Sequence, residues 1–99
     1  MRNEAALQQV LKRKLKERNI LCYKFEAPGE TGVPDLVVID PDAKPPVYFI
    51  EVKHPNGRGR LSPKQEHEIE RIKRHGGTVF VIHTLDQLEA VIRGTRAGD

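Results

Sequence analysis

Gly32-Val33-Pro34-Asp35-Leu36-Val37-Val38-Ile39 and, after a short break, Val47-Tyr48-Phe49-Ile50-Glu51-Val52-Lys53 decide the fold of this chain. Both are apolar, β-branched runs of strand length, separated by a proline-containing turn. Each also carries charge where a strand entering a core should carry none: Asp35 at the mouth of the first, Glu51 and Lys53 near the end of the second. Ionised groups in such places are costly unless they pair with one another or hold a metal. Strand alternation puts Val47, Phe49, Glu51 and Lys53 on one face, and Asp35, Val37 and Ile39 on one face of the other strand. If the strands are neighbours, Asp35 and Glu51 meet at one end of a sheet.

On the N-terminal side, residues 3–18 read as an amphipathic helix with Leu7, Val10, Leu11 and Leu15 at helical spacing, Asn3 as N-cap and Glu4 in the first turn. Residues 20–25 read as a first strand, and 27–34 as a loop punctuated by two prolines and two glycines. The charged pair then forms strands at 35–40 and 47–53 about a turn at 41–46, giving an antiparallel hairpin or meander. A basic, glycine-rich loop covers 54–61. Ser62, Pro63 and Gln65 mark a helix start, as N-cap, first helical residue and N3, and Gly76-Gly77 stops that helix after about His75. A fourth strand is expected at 78–82 and a last helix from Thr84 to about Arg93, packing Leu85, Leu88, Val91 and Ile92, with a flexible tail from Gly94. The order α-β-β-β-α-β-α makes an α/β domain, a central mixed sheet flanked by helices, spanning residues 1–99 with its core at about 3–93.

The chain has 99 residues, enough for one modest sheet and a few helices. Its 17 Lys and Arg against 14 Asp and Glu give a net charge of +3, which by itself only weakly favours a nucleic-acid partner. The single cysteine, Cys22, excludes an intrachain disulfide and fits a reducing cytoplasm. No apolar stretch approaches membrane-spanning length, and the first helix is too polar for a signal peptide. An intracellular, cytoplasmic domain with no membrane partner is expected.

Paired carboxylates suit a hard divalent cation, and Mg²⁺ in particular takes one or two carboxylates plus waters and phosphate oxygens. A cation there polarises a phosphodiester, and Lys53 is placed to orient water or stabilise developing charge. The plain alternative is a Glu51–Lys53 surface pair on an edge strand, since E-x-K alone is common. Pro34-Asp35 followed by Glu51-Val52-Lys53 at the end of an apolar strand resembles the PD-(D/E)xK nuclease signature. The preceding Gly32-Val33, the short chain and the glutamate-bearing first helix resemble the virus-type replication-repair nuclease (VRR-NUC) family, over roughly residues 3–93.

This resemblance implies a restriction-endonuclease-like core and Mg²⁺- or Mn²⁺-dependent hydrolysis of DNA. Asp35, Glu51 and the Val52 backbone carbonyl would ligate the metal, Glu4 would complete the site directly or through water, and Lys53 would assist the attacking water. The resemblance also points to branched DNA such as four-way (Holliday) junctions in replication, recombination or repair, to a homodimer, and to a bacterial or phage-infected cell as the source. Nicking, flap or restriction-like cleavage of other DNA is the nearest alternative, and a non-catalytic DNA-binding module on the same fold is another.

Two further polar side chains lie on apolar helix stripes. Glu4 shares one with Leu7 and Leu11, and Gln65 begins one with Ile69 and Ile72. Helix-dipole stabilisation accounts for Glu4 and a capping box for Gln65, and the resemblance adds catalytic roles for both. Arg58 and Arg60, in the loop directly after Lys53, are expected to clamp a DNA backbone, with Lys64 beside them, although helix solvation also explains Lys64. The cations of the first helix, Lys12, Arg13, Lys14, Lys16 and Arg18, read as a solvated face. Asp40 and Asp42 read as turn residues, and Tyr23, Tyr48 and the phenylalanines as core. His67-Glu68 lacks the second histidine of a zincin.

Overall fold

Asn3 starts the first helix by accepting the Ala6 amide on its side chain at 2.8 Å. In the computed structural model, which describes residues 3–97, seven elements follow one another. They are α1 (Glu4–Glu17), β1 (Leu21–Lys24), β2 (Leu36–Ile39), β3 (Val47–Val52), α2 (Pro63–Arg74), β4 (Val79–Ile82) and α3 (Leu85–Arg96). Ser62 and Thr84 cap α2 and α3 with full capping boxes, each completed by the glutamine three residues on. Among the described residues no helix is long and apolar enough to cross a membrane.

The four strands form one sheet in the order β1-β2-β3-β4. The first three are an antiparallel meander, and β4 runs parallel to β3. A parallel neighbour requires a crossover, which α2 and its flanking loops supply. The β2–β3 register pairs Leu36 with Ile50 and Val37 with Phe49, so one further step sets Asp35 opposite Glu51. Leu36, Val38, Tyr48, Ile50, Val52 and Ile82 bury one face of the sheet against Leu7, Leu11 and Leu15 of α1 and Leu88 and Ile92 of α3. On the other face Phe25 and Phe49 stack at 5.2 Å between ring centroids, and Ile69 of α2 is buried.

Three expectations are corrected. The last helix does not end at Arg93, and Gly94 begins no flexible tail: α3 continues through Gly94 to Arg96, while Gly98 and Asp99 lie outside the described residues. Asp40 is not merely a turn residue. It is fully buried and receives the Arg96 guanidinium at 2.7 and 3.1 Å, which holds the last turn of α3 against the β2–β3 connection. Tyr23 is not core: it is 56% exposed, because β1 is an edge strand whose outer face α2 does not reach.

Candidate active site

Asp35 reaches β3 with its side chain, whose Oδ2 accepts the Val52 amide at 2.8 Å, while its backbone carbonyl accepts the Phe25 amide at 2.8 Å on the β1 side. That bond fixes the carboxylate against the strand bearing Glu51 and Lys53. The approach to Asp35 is set by Gly32, whose φ of +83° suits glycine, and whose added Cβ would lie 2.6 Å from the Lys64 carbonyl oxygen. The 27–34 loop therefore packs directly on the first turn of α2, where Gln65 sits. Glu51 is 1% exposed and Lys53 6%. Gln65 joins them: its Oε1 accepts Lys53 Nζ at 3.0 Å and its Nε2 donates to Glu51 Oε2 at 3.2 Å, while Lys53 Nζ stands 3.7 Å from that same carboxylate oxygen. Gln65 Oε1 also accepts the Ser62 amide at 2.9 Å. One side chain thus completes the capping box of α2 and touches both Lys53 and Glu51.

The electrostatics of this group are out of balance. Burial, then the charge of Asp35, pushes the Glu51 carboxyl up to about 8, against the smaller opposing pull of Lys53; the Asp35 side chain at hydrogen-bonding range and the field of Glu4 add to the rise. Glu51 Oε1 is buried with no hydrogen-bond donor among the described residues. Two carboxylates face each other and one oxygen lacks a positive partner, so a proton or a cation is the missing element. Among the described residues no group of three or more His, Cys, Asp or Glu side chains is gathered as a ligand set. A hard cation that takes one or two carboxylates plus water and phosphate oxygens nevertheless fits the Asp35–Glu51 pair and its orphaned oxygen.

A VRR-NUC domain profile matches residues 2–85. The chain belongs to the VRR-NUC domain family. A solved VRR-NUC domain superposes with a TM-score of 0.80 at 29% identity, covering 94% of this chain and 97% of that one. A second solved structure, of a VRR-NUC domain protein, shares the fold at a TM-score of 0.76 and 23% identity, over 98% of this chain and 91% of the other. "Putative nuclease p44" of Acyrthosiphon pisum secondary endosymbiont phage 1 is 36% identical over 66 residues, 67% of each chain. The mixed sheet and the α-β-β-β-α-β-α order match the solved VRR-NUC domain, and the family and the phage relative together make this chain a nuclease.

Around the VRR-NUC centre the other expected residues fall differently. Glu4, in the first turn of α1, is close enough for its charge to be felt at Glu51, though it forms no three-carboxylate cluster with Asp35 and Glu51. Arg58 and Arg60 are exposed on the loop that follows Lys53. That loop lies tight against the site: a Cβ on Gly59 would sit 2.9 Å from the His54 amide nitrogen and 3.3 Å from the Lys53 Cβ. Lys64 donates to Thr31 Oγ1 at 3.1 Å and so ties α2 to the 27–34 loop. Burial pushes the Cys22 thiol up to about 11, against a smaller opposing effect of Lys12, which suits a structural thiol. A cleft of about 400 Å³ beside α2, walled by Phe25, Val33, Phe49 and Ile72, contains none of Asp35, Glu51 or Lys53. Sequence reasoning missed the Gly32–Lys64 approach, for which the only signal was the glycine itself.

Proposed function

We propose that the chain is a DNA endonuclease dependent on Mg²⁺ or Mn²⁺, with Asp35, Glu51, Lys53, Gln65 and Glu4 as its catalytic set. The observation that carries this reading is Glu51: a buried carboxylate beside a second carboxylate, with one oxygen lacking a donor, is stable in its ionised form only with a cation at hand. Asp35 and Glu51 would hold the metal, with the Val52 carbonyl and Glu4 (directly or through water) completing its shell. When bound, the metal supplies Lewis-acid polarisation of the phosphate and lowers the pKa of a water in its shell. Lys53, held by Gln65 and Glu51, presents its ammonium to the attacking water or to the charge that builds on the phosphate oxygens. Water adds to phosphorus, the bond to one bridging sugar oxygen breaks, and that oxygen leaves with a proton. Arg58 and Arg60 flank the entrance and grip the sugar-phosphate backbone, with Lys64 as a lesser contact.

For the substrate we infer branched DNA, four-way junctions first, cut by a homodimer inside a bacterial or phage-infected cell. One chain offers one catalytic set, and a two-fold pair presents two sites to a symmetric junction. The phage relative supports the setting. Junction, flap and linear duplex compared at one salt concentration, with Mg²⁺ or Mn²⁺, test this, alongside sedimentation of the protein. Paired incisions in the junction by a dimer are expected. Binding without cleavage by the wild type would leave only a DNA-binding module, and equal cleavage by Asp35→Ala would sink the site assignment.

A further inference from the structure

Along one flank of α1, the helix and the edge strand β1 enclose a groove of about 380 Å³. Lys12, Arg13 and Lys16 line its helical wall, and Leu21, Cys22 and Tyr23 its strand wall. The other cations of the helix and its cap are matched: Lys14 stands 3.6 Å from Glu17, and Arg18 is bonded to Glu89 of α3. Lys12, Arg13 and Lys16 have no carboxylate partner among the described residues, and no carboxylate lines the groove. The two clefts beside α2 both carry Glu30 and Glu68. A solvated helix face has no need of concave shape and uniform sign.

We infer that the α1–β1 groove is a second nucleic-acid contact, binding the phosphate backbone of a strand that leaves the catalytic centre. The inference rests on the nuclease reading, which gives the chain a polyphosphate substrate in the first place. Three unmatched cations lie within about one helical turn of one another, as a run of backbone phosphates requires. The reach is fixed by α1 itself. Glu4 lies at the catalytic end, and the cations follow 8 to 12 residues later, about 12–18 Å along the helix at 1.5 Å per residue. At about 3.4 Å per phosphate along one strand, that is about four or five nucleotides from the cut.

The test is binding of a labelled branched DNA in chelator, measured across a salt series. Lys12→Gln/Arg13→Gln/Lys16→Gln is compared with Lys14→Gln/Lys24→Gln/Lys73→Gln, which removes equal charge from ion-paired surface positions. The groove variant is expected to bind about 10-fold or more weakly near 0.1 M salt, with the slope of log affinity against log salt reduced by about 2–3, since each phosphate contact contributes about 0.9. The control set keeps the wild-type slope. Trimming the DNA to fewer than about four nucleotides beyond the cut abolishes the difference between wild type and groove variant. Should the triple variant misfold, Arg13→Glu alone is expected to lower the slope by about 1. A groove variant with the wild-type slope, or two triple variants that lose slope equally, overturns the groove while leaving the nuclease reading intact. A wild type that neither binds nor cuts DNA overturns that reading instead.

Discussion

Two carboxylates at opposite ends of the β2–β3 pair are both withdrawn from water, and they have opposite fates. At the turn end Asp40 receives two hydrogen bonds from Arg96, which hold its carboxyl below the usual range. At the other end Glu51 has one oxygen with no donor and a second carboxylate beside it, and its carboxyl is pushed up to about 8. Matched burial makes a joint between elements. Unmatched burial makes a place where a cation or a reaction supplies what the protein withholds.

The comparison breaks first, and by the largest margin, on activity. Glu51→Gln and Asp35→Asn are each expected to lower DNA cleavage by about 1,000-fold or more, because each removes a carboxylate of the proposed metal site. Asp40→Asn should leave the turnover of the folded protein as it is. Single-turnover cleavage of the three variants measures both halves of this contrast. Lys53→Ala should cost about 100- to 1,000-fold in the same assay, the loss typical of one preorganised donor. Gln65→Ala, which removes the proposed positioning residue, should cost about 10- to 100-fold, with a weaker apparent metal affinity by calorimetry as the accompanying sign.

Smaller effects appear in stability. Asp40→Asn should lower the Tm by about 6–20 °C, the shift that loss of a charge-assisted bond gives in a domain of this size. The pH dependence of the two carboxylates is opposite in sign. Glu51 has a folded pKa near 8 against an ordinary 4.5, so its contribution is full below about 4.5 and is lost as pH rises toward 8. In chelator, the wild-type Tm should therefore fall from pH 5 to 9 relative to that of Glu51→Gln. Asp40 has a lowered folded pKa, so its contribution is present above the ordinary 3.8 and is lost as the solution is acidified. Thermal melts of wild type and Asp40→Asn should converge in acid. If the Glu51→Gln difference is flat with pH, Glu51 is not the mismatched group described above.

The legibility of the two ends from sequence differs for the same reason. Asp35, Glu51 and Lys53 were readable because strand alternation is a local rule, and charges on apolar runs violate it visibly. Gln65 was readable as a cap, and its place on an apolar stripe also aimed it at the sheet, where it bonds Lys53 and Glu51. The Asp40–Arg96 joint was not readable, since its partners are 56 residues apart and Gly94 resembles a helix stop by propensity. Tertiary contact overrode that propensity and carried α3 through it. Tyr23 was misplaced because strand residues look alike whether or not a helix covers them, and no local signal says how far α2 extends.

Gly32 bears on how this domain could be rebuilt. Because no side chain fits between it and the Lys64 carbonyl, the loop that delivers Asp35 and the helix that delivers Gln65 are not interchangeable parts. A graft that replaces either one from a relative must bring the other with it, or keep glycine at the seam. Substitutions on the two segments should accordingly depend on one another, although Thr31 and Ser62 lie 31 positions apart and the two segments belong to different elements of the fold.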